Sequence, residues 1–381
     1  MKEKLKIVHI AQSAGGVENY IYMLLSNLKK EEYDNILIVS EEYKKDEERF
    51  KNLVSKIYYV PMQRNIKFKS IFLSVKKVKK ILKELNPDIV YMHSSMAGGI
   101  GRIATLFNKK VKKIYNAHGW YFNAEIGNKK RKIYEILERI LAHCTDMIVN
   151  ISQSEYDSAI QRKIAPKEKM CIINNGIDFK KFEFCEKYRT ETRKEMNIKD
   201  DEIVIGVVGR ISEQKDPITT IKAFNEVHKK YSKTKLMYIG SGDLEEDVKK
   251  IAIENNIDKD IIITGWVENT EKYISALDIA LLPSKWEGFG LAIIEYMACK
   301  KPIVATKVGG IKNIICDKTK GLLVEMEDVQ EICNDICYYI ENKNDVIKMT
   351  ENNYVYAKEN YNIENVVREH EEKIFSIGGI K

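Results

Sequence analysis

A chain of 381 residues with 44% hydrophobic and 31% charged residues has the balance of an ordinary globular protein and is too long for one small core, so two or three domains are expected. No apolar run approaches the ~20 residues that a bilayer-spanning helix needs, and the strand-like residues begin straight after Met1-Lys2-Glu3-Lys4 with no signal peptide, so a cytoplasmic protein is expected. The formal charge of +7 is mild, and of the seven scattered cysteines only Cys333 and Cys337 are close; with no second ligand pair for zinc, all seven read as reduced thiols.

Residues 5–10 read as the first strand, followed by a loop through Ser13, Ala14, Gly15 and Gly16 and a helix containing Tyr20, Met23, Leu24 and Leu25. Strand, glycine loop and helix open a Rossmann-like half, but the loop is not G-x-G-x-x-G and gives nicotinamide no support. Strands follow at Asn35–Ser40 and Lys56–Val60. Between Pro61 and Lys83 stand Arg64, Lys67, Lys69, Lys76, Lys77, Lys79, Lys80 and Lys83, without one acid. Ile71, Val75, Val78 and Leu82 can form one face of a helix there, with lysines on the other. A solvated face is the commonest meaning of such a run; its rival is a basic amphipathic helix lying on anionic lipid. No nucleic-acid motif accompanies the charge, so nucleic acid is not an expected partner.

Further strands are expected at Pro87–His93, at Lys113–Ala117 leading into His118-Gly119-Trp120, and at Asp146–Ser152. Strands alternating with helices imply a parallel sheet, whose ligands gather at the C-terminal strand ends. His93 and His118 fall at such ends, whereas His9 lies inside the first strand as core or cleft lining. Tyr121–Arg131 is aromatic first and basic after, and feeds a helix running to about His143. Gly176 marks a turn, and the charged stretch to Asp201 reads as linker and surface helix.

A second Rossmann-like half starts at Ile203–Val208. Arg210 and Lys215, separated by a strand-end loop, can converge on one anionic group, Arg with a forked pair of donors and Lys as a point charge. Lys235–Ile239 and Ile261–Ile263 are strands. Asp258-Lys259-Asp260 spells D-x-D, but it precedes a strand instead of ending one and reads as a turn, so no metal is expected. Asp278–Leu282 runs through Pro283 and Ser284 into Trp286-Glu287-Gly288-Phe289-Gly290, after which Leu291, Ile294 and Met297 recur at helical spacing. Glycines before a helix start let backbone N–H groups close on phosphate. Glu287 and Glu295, eight residues apart, are carboxylates suited to paired hydroxyls of sugar and ribose, so the stretch describes a nucleotide-sugar pocket. The competing reading is a loop glycine pair with two surface glutamates. Strands at Pro302–Thr306 and Gly321–Val324 and a helical remainder complete the chain.

The segment E-G-F-G-L-x-x-x-E from Glu287 to Glu295 resembles the signature of retaining glycosyltransferases of family 4, which have the GT-B fold. The likeness extends to Gly15-Gly16, to P-D-x-V-x-x-H ending at His93, to A-H-G at His118, to N-G-I-D at Asn175–Asp178 and to G-R-x-x-x-x-K-D-P at Gly209–Pro217. It implies an α/β chain of two Rossmann-like domains with parallel sheets facing across a cleft. Residues 1–175 would be the acceptor domain, 176–360 the nucleotide-sugar domain, and 361–381 a last helix packing on the first. It implies that Arg210 and Lys215 hold the diphosphate with backbone around Gly288, Phe289, Gly290 and Leu291, and that Gly15 and Gly16 face it. Glu295 would take ribose, Glu287 the donated sugar, and the loop at Trp266 and Val267 the base. His118 would touch the donor sugar or reaction centre, and His93, Trp120 and Tyr121 would lie on the acceptor side. The implied reaction is retaining transfer without metal or other cofactor. The favoured donor is a UDP-sugar over GDP-mannose. The favoured acceptor is a polyprenyl-diphosphate-linked glycan of surface polysaccharide synthesis, met at the cytoplasmic membrane face. Two alternatives are a sugar-nucleotide epimerase or hydrolase on the same fold and a non-catalytic membrane-surface module; the joint presence of Glu287, Glu295, Arg210, Lys215 and His118 weighs against the latter.

Overall fold

The computed structural model describes residues 4–12, 15–62, 68–183 and 185–378. The expectations placed on Ser13, Ala14, Arg64, Lys67 and the Lys69 side chain lie outside the described residues. The chain forms two compact units, Met1–Asn175 with Ile363–Lys381, and Gly176–Asn362.

The first unit is built on β1 (Leu5–Ala11), β2 (Tyr33–Val39), β3 (Lys56–Tyr59), β4 (Ile89–His93), β5 (Lys112–Asn116), β6 (Met147–Asn150) and β7 (Met170–Ile172). All are parallel, in the order β3-β2-β1-β4-β5-β6-β7. Both faces are covered, which is why the central strands are near-continuous apolar runs. Along β1, Val8 and Ile10 point into one core with Val90 and Met92. Leu5, Ile7 and Ala11 point into the other, with Tyr20, Ile21 and Leu24 of helix Gly16–Asn27 and Val366 and Val367 of helix Ile363–Lys373. Each of these valines, leucines, isoleucines and methionines, fully buried, is worth roughly 1.5–3 kcal/mol.

Two features depart from the sequence reading. β7 has no counterpart among the expected strands; a three-residue edge strand is too short to show a period. Helix Phe68–Leu85 turns its apolar face inward: Val78 and Leu82 are buried, and Ile71 and Val75 pack against the same core. That stripe, read as one available to lipid, is used by the unit itself.

The second unit carries β8 (Ile203–Val208), β9 (Thr234–Ile239), β10 (Ile261–Ile263), β11 (Ile279–Leu282), β12 (Ile303–Thr306) and β13 (Leu322–Val324), parallel in the order β10-β9-β8-β11-β12-β13. Asp258–Asp260 is a single 3-10 turn, and Asp260 is engaged by Lys235 at 3.1 Å. In both units the strand order reverses beside the first strand, between β1 and β4 and between β8 and β11. Loops leaving neighbouring strands in opposite directions open a crevice at such a switch point, and ligands of open α/β sheets bind there. No helix among the described residues is long and apolar enough to cross a membrane.

Candidate active site

In the second unit the two loops at the switch point are tied to each other. The loop after β8 passes Arg210 and a short turn at Glu213–Lys215 into helix Pro217–Lys230, capped by Asp216, whose Oδ1 accepts from Thr219 N–H at 3.1 Å. The loop after β11 runs from Pro283 to Gly290. Lys215 Nζ donates to Glu287 Oε1, and Ser284 Oγ donates to the same oxygen at 2.9 Å. Lys285 N–H donates to Gln214 O at 2.8 Å, and Gln214 Nε2 returns a bond to Trp286 O at 3.0 Å. The side chains of Lys215 and Glu287 are only 17% and 10% exposed, so removing either partner would leave a largely desolvated charge. Arg210 stands exposed and makes no ion pair among the described residues, leaving its guanidinium open to an anion.

The Glu287 loop is held from behind by glycines. Gly310 N–H donates to Glu287 O at 3.1 Å, and a β-carbon on Gly309 would lie 1.7 Å from that oxygen. Gly290, at φ 97°, caps helix Leu291–Ala298, whose first N–H groups have no intrahelical acceptor. Phe289 is buried edge-on to Tyr361. Glu295 sits in the second turn, half-buried; burial, then Glu271, push its carboxyl up to about 7, against the pull of Lys215 and Lys181. Tyr296 clips this helix to the sheet, its hydroxyl accepting from Val208 N–H at 2.7 Å and lying 3.3 Å from Leu281 O. Trp266 and Val267 follow β10, Trp266 exposed and Val267 half-buried.

In the first unit, three imidazoles form a file. His9 Nε2 lies 3.2 Å from Asn35 Oδ1, His9 Nδ1 3.2 Å from His93 Nε2, and His93 Nδ1 3.0 Å from His118 Nε2. Burial pushes His9 down to about 4 and His118 to about 3, and holds His93 well below the usual range, so all three rings are neutral. A neutral imidazole has one donor and one acceptor nitrogen. Asn35 Oδ1 accepts, so His9 donates from Nε2; each Nδ1 then accepts from the next ring. His118 is thereby held as the Nε2–H tautomer with its Nδ1 lone pair free of the file. Its backbone is left-handed, at φ 53°, with its N–H donating to Asn116 Oδ1 at 2.9 Å. Tyr20 packs edge-on against its ring at 4.6 Å.

The expected residues divide accordingly. Lys215, Glu287, Gly288, Phe289, Gly290, Leu291 and Glu295 share one strand-end region with Arg210; His118 and His93 share another, and Gly15 and Gly16 begin the helix after β1. Two acceptor-side expectations are corrected. Trp120 is a core side chain, stacked on Phe122 and donating Nε1–H to Asn150 Oδ1 at 3.0 Å, because its apolar ring completes the packing under β5. His93 is fully buried, with both ring nitrogens taken by His9 and His118. Tyr121 is partly exposed, its hydroxyl accepting from Lys130 Nζ. Sequence reading passed over Asn35, Gln214 and Tyr296, which carry no signal because their contacts are distant in the chain, and Ser284, which lies only three residues from Glu287 but belongs to no motif that marks it.

Two family models match, Glycosyltransferase Family 4 over residues 14–181 and Glycosyl transferases group 1 over residues 188–356. A UDP-Gal:alpha-D-GlcNAc-diphosphoundecaprenol alpha-1,3-galactosyltransferase of Escherichia coli is 26% identical over 351 residues, 89% of each chain. An uncharacterised 41.2 kDa protein of the cps region of Klebsiella pneumoniae is 32% identical over 339 residues, 86% of this chain and 88% of the relative. The crystal structure of Anabaena HepE in complex with UDP and glucose superposes with a TM-score of 0.83 at 19% identity, over 98% of this chain and 100% of that one. This last likeness concerns the fold, two Rossmann-like α/β units of the GT-B class.

Proposed function

Since the chain belongs to the glycosyltransferases in which a family 4 module precedes a group 1 module, we propose that it moves a hexose or N-acetylhexosamine from a UDP-sugar to a hydroxyl of a polyprenyl-diphosphate-linked glycan. The transfer retains the anomeric configuration, needs no metal, and serves assembly of a surface polysaccharide. The observation that carries this reading is the Lys215–Glu287 pair at the switch point of the second unit, with Arg210, which makes no ion pair among the described residues, on the same strand-end loop as Lys215. The acceptor class is supported by the printed substrate of the Escherichia coli relative, and the uridine donor by that name and by the UDP bound in the Anabaena structure.

Arg210 and Lys215 take the diphosphate, joined by N–H groups at the start of helix Leu291–Ala298. As the bond from sugar C1 to phosphate oxygen breaks, negative charge grows on the leaving diphosphate, and the two cations, Lys215 held by Glu287 and Arg210 open to the anion, lower that barrier. They supply what a divalent ion supplies elsewhere, which supports metal-free transfer. Glu295 accepts from ribose hydroxyls. Glu287, already bound by Lys215 and Ser284, orients sugar hydroxyls and is a positioning carboxylate instead of a nucleophile. The acceptor oxygen forms its bond to C1 on the face the phosphate leaves, and its proton passes to the departing phosphate oxygen. His118, with Nδ1 unprotonated, accepts a hydrogen bond from a sugar hydroxyl.

UDP at ~100 times its dissociation constant should stabilise the protein by about 2.7 kcal/mol, with or without EDTA, and GDP and ADP should do less. Glu287→Ala should keep much of the UDP shift while transfer to a lipid-linked acceptor falls by at least ~100-fold. Undiminished transfer by that variant, or sugar released with no acceptor present, would overturn the assignment.

A further inference from the structure

Two of the seven cysteines meet in space although they stand 114 positions apart in the chain. Cys185 opens helix Cys185–Glu195, and Cys299 follows directly on helix Leu291–Ala298. Their Sγ atoms lie 3.2 Å apart, Cys299 buried and Cys185 half-buried. Bonded sulfurs lie about 2 Å apart, so an approach of roughly 1 Å completes a disulfide.

The contact is built, because both cysteines are moored to the same run of backbone. Arg189, one turn along from Cys185, donates from Nη1 to Ser275 O at 3.2 Å and to Leu277 O at 2.8 Å. Its Nη2 donates to Asp278 Oδ1 at 2.6 Å. Lys301 Nζ, two residues past Cys299, donates to the same Ser275 O and Leu277 O, each at 2.8 Å. Cys299 N–H donates to Glu295 O at 3.1 Å. Two thiols held on one support meet without the entropy cost of ordering a flexible pair.

The two sulfurs differ in their chemistry. The Cys299 contact lowers the Cys185 thiol against burial, and Lys301 and Lys300 help while Glu271 opposes. Burial, then the same contact, holds Cys299 well above the usual thiol range. Cys185 is therefore the readier thiolate and the one a small oxidant reaches, with Cys299 placed behind it. The other close pair lacks this setting: Cys333 and Cys337 lie in the apolar core of the second unit, and burial pushes Cys337 up to about 11. Cys316 is exposed, but its sulfur meets Asp317 and Lys320 and, among the described residues, no second thiol.

We infer that Cys185 and Cys299 form a site of reversible oxidation, which a peroxide converts to a disulfide. The Cys185 sulfur attacks one peroxide oxygen, the O–O bond breaks, and the leaving hydroxide takes a proton to become water. Cys299 then attacks the Cys185 sulfenic acid. The S–S bond forms, the S–O bond breaks, and the hydroxyl leaves with the Cys299 proton as a second water. Both sulfurs are oxidised and both peroxide oxygens reduced, and dithiothreitol reverses the change by exchange. The bond fastens the end of helix Leu291–Ala298 opposite Gly290. This site goes beyond sugar transfer and does not depend on it.

The test is a small molar excess of hydrogen peroxide on the full chain, then alkylation of the remaining thiols and peptide mapping without reductant. The first product should be a monomer that has lost two hydrogens, with Cys185 joined to Cys299. It should form at least ~10-fold faster than Cys316 is oxidised, and dithiothreitol should restore both thiols. Cys299→Ser should leave Cys185 as a sulfenic acid that dimedone traps, and Cys185→Ser should leave Cys299 unmodified. Cooperative thermal unfolding like that of the reduced wild type reports intact folding of both variants. A first product at Cys316, Cys333 or Cys337 would overturn the proposal. So would a wild-type Cys185 that passes to sulfinic acid with the Cys299 thiol still free.

Discussion

Which nitrogen of His118 faces outward is decided three side chains away, at Asn35. The file Asn35–His9–His93–His118 has one direction while Asn35 Oδ1 is its terminal acceptor. An imidazole offered to a sugar hydroxyl through the wrong nitrogen presents a donor where an acceptor is needed. Asn35→Leu should preserve the packing volume, remove that acceptor and let the file run either way. Ring ¹⁵N shifts should then move from a single Nε2–H tautomer of His118 to a mixture, and kcat should fall by roughly 10-fold with donor KM little changed. An unaltered tautomer in the variant would remove Asn35 from the mechanism. Histidine types at strand ends were legible from the sequence, but the file was not, because His9, His93 and His118 come from three separate segments that only the sheet order brings together.

The loop from Ser284 to Gly290 is the element on which donor binding turns, and its position depends on Gly309 more than on its own residues. A β-carbon at Gly309 would meet Glu287 O at 1.7 Å, and backbone on both sides leaves little room to yield. Gly309→Ala should therefore displace the loop, costing about 1–3 kcal/mol of stability and weakening UDP binding. Gly16→Ala is the matched control: nothing lies within 4 Å of its added β-carbon, and unfolding in urea should show a change within ~0.5 kcal/mol. Equal losses from the two variants would contradict the steric account. Element by element, what could be read in advance follows burial. β1, β8 and β11 are apolar runs covered on both faces and declare themselves, whereas β7 is too brief. The apolar stripes of helices Phe68–Leu85 and Asn128–Ala142 are equally visible as periodicity, yet one faces the core and the other water. Period locates a stripe, and only tertiary partners such as Arg102 and Tyr115, which hold Glu138 of the second helix inward, decide where it points.

Across the whole molecule the two units carry buried titrating groups of opposite tendency. In the first, burial lowers His9 to about 4, His118 to about 3 and His370 to about 4 from an ordinary 6.5, and keeps His93 well below it. The unfolded chain takes up these protons first, so the stability they contribute is present above 6.5 and is lost as pH falls toward 4. Each removes up to ~1.4 kcal/mol per pH unit. Glu155, raised to about 7 by burial, offsets part of this. In the second unit, burial raises Glu295 to about 7 and Asp335 to about 6. Their contribution is present below the unfolded carboxyl range and is lost as pH rises through those values, so acidification from 7 adds stability there. Four histidines set against a domain stability of ~5–15 kcal/mol are enough to weaken the first unit markedly in acid. Hydrogen-exchange protection of β1 and β4 should fall steeply between pH 6.5 and 5, while that of β8 and β11 holds or rises. Loss of protection in step, or in β8 and β11 first, would show that the buried imidazoles do not govern the acid response. The expected outcome means that acid opens the histidine-bearing unit while the Lys215–Glu287 loops remain folded, so UDP binding should outlast transfer as pH falls.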